Sequence, residues 1–150
     1  IGSSFLPSDM IAAYLYAQLE NVDAIQNKRK ELWREYYDNL KQLANSGYIQ
    51  LPIIPEYATN NAHMFYIVCS DLKKRSELIS YLKESGIHSV FHYLSLNKSE
   101  YYLKQNKKIS LQNSDKFADC LLRLPMYYEL ECKQVNYISE KIAHFFKKHA

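Results

Sequence analysis

Between Pro7 and Gly47 the chain contains neither glycine nor proline, and apolar residues return at helical spacing along most of that stretch. A long amphipathic helix so early in a chain needs a large apolar surface to lie against. Ser8 is a suitable N-cap, and Asp9 puts a negative charge in the first turn, where the helix dipole favours it. Ile11, Leu15 and Leu19 then recur at helical spacing, joined by Ala12 and Tyr16. Asp23 and Gln26 resemble a capping box in form and mark a second start. From there Ile25, Leu32, Trp33, Tyr36, Leu40 and Leu43 form one stripe, which Asn45-Ser46-Gly47 ends. The spacing predicts one short and one long helix over 8–46, broken or continuous.

After a loop carrying Pro52 and Pro55, the run 63–69 is apolar on both alternating faces and reads as a central strand buried on both sides. Ser70 or Asp71 caps a helix that turns Arg75, Leu78, Ile79 and Leu82 inward and stops at Gly86. A strand over 87–93 and a short surface helix over 99–107 follow. Asn113 or Ser114 opens another helix, with Phe117, Cys120 and Leu121 on one face. A short strand over 122–125 leads into a last helix, where Val135, Ile138, Ile142, Phe145 and Phe146 keep helical spacing. Lys147 and Lys148 sit at the favourable end of its dipole. The expected fold is α/β (α+β): a long N-terminal helix, then a small, mainly antiparallel sheet covered by helices.

With 150 residues, 47% of them hydrophobic, the chain has apolar material for one core in a single domain. A net charge of +3 with 23% charged residues excludes disorder. The basic clusters Lys28-Arg29-Lys30, Lys73-Lys74-Arg75, Lys107-Lys108 and Lys147-Lys148 lie near acids or at helix ends. They read as solvated helix faces rather than a nucleic-acid surface. No apolar run reaches the length of a membrane span and nothing at the start resembles a signal peptide, so no membrane partner and a cytoplasmic location are expected. The chain opens Ile1-Gly2 without a methionine, as a piece of a longer polypeptide would. Cys69, Cys120 and Cys132 are odd in number and contain no CxxC pair, which fits reduced thiols. The fourteen tyrosines belong at the boundary of core and surface, or at an interface.

Motif chemistry is sparse. His88 and His92 share one face of a strand but stand about 13 Å apart, too far to share an ion, so no metal site is expected. Cys120 with His92 or His63 could form a nucleophile and base, yet its neighbours Phe117, Leu121 and Leu122 mark a small buried thiol. Glu31 with Glu35, and Glu129 with Glu131, occupy exposed positions. No glycine-rich phosphate loop is present.

Several segments, in order along the chain, resemble the sugar aminotransferases of the DegT/DnrJ/StrS type. They are Gly2-Ser3-Ser4-Phe5-Leu6-Pro7-Ser8-Asp9-Met10-Ile11-Ala12-Ala13 with Gln18-Leu19, then 61–66, Ser85-Gly86-Ile87, Phe91-His92-Tyr93 and 122–127. The resemblance implies the C-terminal small domain of a fold-type-I enzyme whose large domain, with the pyridoxal phosphate and its lysine, lies upstream of Gly2. It implies no catalytic residue in this chain, no cofactor bound to it alone and no activity of its own. The intact enzyme would be a homodimer moving an amino group from glutamate to a nucleotide-linked 4-keto-6-deoxy sugar for surface-polysaccharide synthesis.

By position in the family pattern, Ser4 would reach the cofactor phosphate of the neighbouring subunit, where many relatives have asparagine. His92 and Tyr93 would lie at the sugar-nucleotide mouth, and Asn97 stands where relatives often carry a second histidine. His63 matches a family histidine, expected here to pack inside a buried strand. Tyr14, Leu15, Trp33 and Tyr36 would form a stripe covered only in the intact protein. A relative with another keto-sugar reaction on the same cofactor, or a non-catalytic interaction module, remain as alternatives.

Overall fold

The computed structural model describes residues 6–148. Its helices are α1 (Asp9–Leu19), α2 (Val22–Asn45), α3 (Leu72–Glu84), α4 (Glu100–Gln105), α5 (Gln112–Cys120) and α6 (Cys132–Lys148). Its strands are β1 (Phe65–Val68), β2 (Val90–Phe91) and β3 (Leu121–Leu124), and a 3₁₀ turn at Leu96–Lys98 precedes α4. Ser8 caps α1 by accepting from the Ile11 N–H. The 8–46 stretch breaks after α1 because Asn21 turns its backbone N–H to the Gln18 carbonyl and its side-chain amide to the Ala17 carbonyl. Asparagine offers the backbone such local bonds in place of helical ones.

The sheet is antiparallel with order β1-β3-β2. β1 is therefore not the central strand that its sequence suggested. Its far side carries only a bridge from Val68 to Gln50, and β3 lies in the middle. Apolar alternation reports what covers a strand's two faces, and says nothing of what borders its edges. β1 also begins two residues later than expected, so His63 lies before the strand and exposed rather than packed within it.

Register sorts the strand residues onto two faces. Phe65 faces Leu124 and Ile67 faces Leu122, all four buried. On that face α2 supplies Leu32, Tyr36, Leu40 and Leu43, and α6 supplies Val135, Ile138, Ile142, Phe145 and Phe146, in one core. Tyr36 is 0% exposed, its ring 5.0 Å from Phe65, and its hydroxyl donates to the Pro125 carbonyl at 3.0 Å. Burial raises its phenol above the ordinary value.

Tyr36 thus belongs to the core, and Trp33 is half-buried against Tyr37 and Phe65. Of the expected open stripe, Tyr14 and Leu15 alone remain exposed, on an α1 that buries no residue. α5 starts at Gln112, ahead of Asn113, because the Asp115 carboxylate accepts the Leu111 N–H at 3.1 Å and satisfies the first turn from inside.

Candidate functional site

The other face of the sheet is only partly covered. Tyr66, Arg123 and Val90 form one row across β1, β3 and β2, and each is half-buried. His92 continues the line of β2. The Arg123 guanidinium donates to His92 Nδ1 at 3.3 Å. A guanidinium accepts nothing, so this bond needs a bare Nδ1 and leaves the ring hydrogen on Nε2. The His92 ring packs against Tyr93 with centroids 4.4 Å apart.

His92, Tyr93 and Asn97 come together at one open groove of about 420 Å³, whose other walls include Leu96, Phe117 and Leu121. Tyr93 projects from its rim, 74% exposed. Asn97 is 4% exposed and its amide is engaged within the wall. Its Oδ1 accepts from the Ser95 hydroxyl, and its Nδ2 donates to the Ile109 carbonyl at 2.9 Å. The Ser95 and Ser114 hydroxyls bond at 2.6 Å. Together these tie the turn at 95–97 to the segment that opens α5. Lys98 adds ion pairs to Asp115 at 3.2 Å and Asp119 at 3.8 Å. Burial acts to raise the Asp115 carboxyl, but the Lys98 ammonium, the Leu111 N–H and the Asn97 amide outweigh it and hold it below the ordinary carboxylate value.

Phe117 separates this groove from a second one of about 490 Å³, walled by Tyr37, Lys41, Gln50, Pro52 and Tyr66 among others. The turn into β1 is built with more care than the sequence shows. Ala62 takes a left-handed φ of 51°, a conformation that costs a side-chain-bearing residue about 1 kcal/mol. Asn60 Oδ1 accepts the Ala62 N–H and Asn61 Oδ1 the His63 N–H, while Arg29 donates to both carbonyls from α2. Arg29 therefore leaves the solvated face on which its basic cluster was expected to lie.

Ser95 and Ser114 line the His92 groove, Arg123 bonds the His92 ring and Arg29 braces the turn at 62–63, and all four were missed from sequence. Arg123 alone left a signal, a charge between Leu122 and Leu124 in an apolar strand. Ser4 lies outside the described residues. Cys120 is buried and its thiol donates to the Ser70 carbonyl at 3.8 Å, with neither histidine as partner. Among the described residues no His, Cys, Asp or Glu group is arranged to hold a metal ion, and no helix is long and apolar enough to cross a membrane. A phosphorylated pyridine aldehyde needs an amine, a carboxylate for its ring nitrogen and donors for its phosphate. The walls of the His92 groove carry no lysine and no carboxylate, so these residues do not by themselves fit that cofactor.

Residues 1–143 match the pattern of the DegT/DnrJ/EryC1/StrS aminotransferase family. The UDP-4-amino-4,6-dideoxy-N-acetyl-beta-L-altrosamine transaminase of Campylobacter jejuni is 25% identical over 99% of this chain and 39% of its own length. This chain thus spans about two fifths of the length of that curated relative. In three dimensions it resembles Helicobacter pylori PseC, an aminotransferase involved in the biosynthesis of pseudoaminic acid. The TM-score is 0.85 at 19% identity, covering 99% of this chain and 40% of PseC. It also resembles NtdA of Bacillus subtilis, solved with bound cofactor PMP, with a TM-score of 0.68 and 26% identity over 80% of this chain and 28% of NtdA.

Proposed function

Because this chain belongs to the DegT/DnrJ/EryC1/StrS aminotransferase family, we propose that it is the C-terminal small domain of a pyridoxal-phosphate enzyme that aminates a nucleotide-linked 4-keto-6-deoxy sugar with glutamate as donor. The observation that carries this reading is the groove on the half-open sheet face, where His92 and Tyr93 stand side by side at the rim. The Campylobacter relative acts on a UDP-linked amino-dideoxy sugar, which supports a sugar nucleotide as the occupant.

In this reading His92 presents its Nε2–H to a sugar or phosphate oxygen, with Arg123 holding the ring from behind. The Tyr93 ring offers an apolar face and a hydroxyl to the sugar. Asn97 acts at one remove, by fixing the turn that carries the groove wall. Ser4 contacts the cofactor phosphate of a neighbouring subunit. Pyridoxal phosphate, when bound, supplies the electron sink for amino transfer. The large domain and a second subunit of a homodimer cover the exposed apolar residues of α1, and this chain alone is inactive. Synthesis of a bacterial surface polysaccharide is the setting that such a product suits.

The test is the visible absorption of the intact protein with pyridoxal phosphate, followed through two additions. Glutamate bleaches the yellow cofactor, and a dTDP- or UDP-linked 4-keto-6-deoxy sugar restores it. Bleaching that no keto-sugar reverses rejects the acceptor while keeping the enzyme class. A protein that never becomes yellow is a non-catalytic module. His92→Ala leaves the glutamate step intact and raises KM for the keto-sugar about tenfold, the loss expected for one hydrogen bond to a charged or polar group.

A further inference from the structure

Cys69 and Cys120 are the two residues that extend the β1–β3 register by one step beyond Val68↔Leu121. The Cys69 N–H donates to the Cys120 carbonyl at 2.9 Å, so the pairing continues through them. Residues opposed in this hydrogen-bonded way have Cα atoms about 5.5 Å apart, and Cys120, the last residue of α5, takes that place opposite Cys69. Disulfides most often span about 5.5–6 Å between Cα atoms. Cys69 and Cys120 are 3% and 5% exposed. Arg75 lies over the Phe91 ring at 5.2 Å and is itself buried, with Nε and one Nη lacking any hydrogen-bond partner. Its positive charge acts on both thiols.

We propose that Cys69 and Cys120 form a reversible redox pair, closed into a cross-strand disulfide by a hydroperoxide and reopened by thiols. Cys120 is the attacking sulfur, and it touches the Ser70 carbonyl of the turn that follows β1. Its thiolate attacks the peroxide, the O–O bond breaks, and a sulfenic acid forms with release of one water. The Cys69 thiolate then attacks that sulfur, the S–O bond breaks and a second water leaves. Two thiols and one hydrogen peroxide give one disulfide and two waters, the sulfurs losing two electrons.

Burial pushes the Cys69 thiol up to about 12 and raises Cys120 as well. Arg75 offsets part of that effect at both. In the closed structure both sulfurs are therefore protonated thiols and react slowly, and the pair closes when the end of the strand opens, an event suited to a junction where β1 stops and α5 passes into β3. Closure staples the junction whose Phe117 and Leu121 wall the His92 groove.

The intact protein is treated with graded hydrogen peroxide under native conditions, quenched by alkylation and digested for mass spectrometry. One crosslinked species, lighter by two hydrogens, joins the peptides of Cys69 and Cys120, leaves Cys132 alkylated and disappears with dithiothreitol. In Cys69→Ser, Cys120 stops at a sulfenic acid that dimedone traps; this arm reports the chemistry even if the disulfide strains the fold. Both thiols recovered unlinked, or either one joined to Cys132, overturns the proposal.

Discussion

α1 and α6 are both helices with apolar residues at helical spacing, and they meet opposite fates. α6 buries Val135, Ile138, Ser139, Ile142, Phe145 and Phe146. α1 buries nothing and leaves Met10, Ile11, Tyr14, Leu15 and Leu19 in solvent. Periodicity thus states that a helix has an apolar side; the partner that covers it has to be supplied by the fold. An isolated helix of eleven residues is marginal in water, and α1 draws little support from the other described residues.

The largest test of that contrast compares equal truncations. Ile142→Ala removes a fully buried side chain from the core and costs about 2–5 kcal/mol in denaturant unfolding. Leu15→Ala, on the open helix, costs no more than about 0.5 kcal/mol in this chain. A comparable loss for Leu15 would show that α1 packs here after all. A smaller effect sharpens the core side. Tyr36→Phe keeps the ring on Phe65 but strands the Pro125 carbonyl, for about 1–2 kcal/mol.

The smallest effect concerns the caps. Asp71 caps α3 by accepting the Lys74 N–H at 2.8 Å. That bond first, and the Ser70 hydroxyl second, hold its carboxyl below the ordinary value. A depressed carboxyl adds stability that is complete above its unfolded value of about 3.9 and is lost as pH falls through the folded one. Asp71→Asn keeps a capping oxygen and removes the titration, so the acid limb of the stability curve flattens. Ser8→Ala, at the uncovered α1, lowers local helicity by circular dichroism and leaves the global unfolding midpoint where it was.

Most of the architecture was legible because its signals are local. Helical stripes located α2, α3 and α6, Asp71 caps α3 as expected, and Gly86 marked a stop with its φ of +75°. The Asp23–Gln26 pattern, by contrast, falls inside α2, which starts at Val22 behind an Asn21 that makes no side-chain cap. Strand order was not legible, since Phe65 and Leu124 meet across the length of the domain and no local pattern encodes that choice. The groove was partly legible. His92 and Tyr93 stood out through a family resemblance, whereas the engagement of Asn97 by Ser95 and Ile109 depends on a turn whose shape is set by tertiary contact. Arg29 was misplaced for the same reason. A basic residue on a helix looks solvated until the carbonyls of a distant turn come to meet it.

The most extensive contact between helices among the described residues joins α2 to α6. Asn39 Nδ2 donates to Asn136 Oδ1 across that seam at 2.7 Å. During synthesis the stripe of α2 therefore lacks this partner until α6 has left the ribosome. Contacts so distant in sequence form late, and a stop codon that removes α6 yields a polypeptide with most of its secondary structure encoded and without the Val135, Ile138, Ile142, Phe145 and Phe146 side of its core.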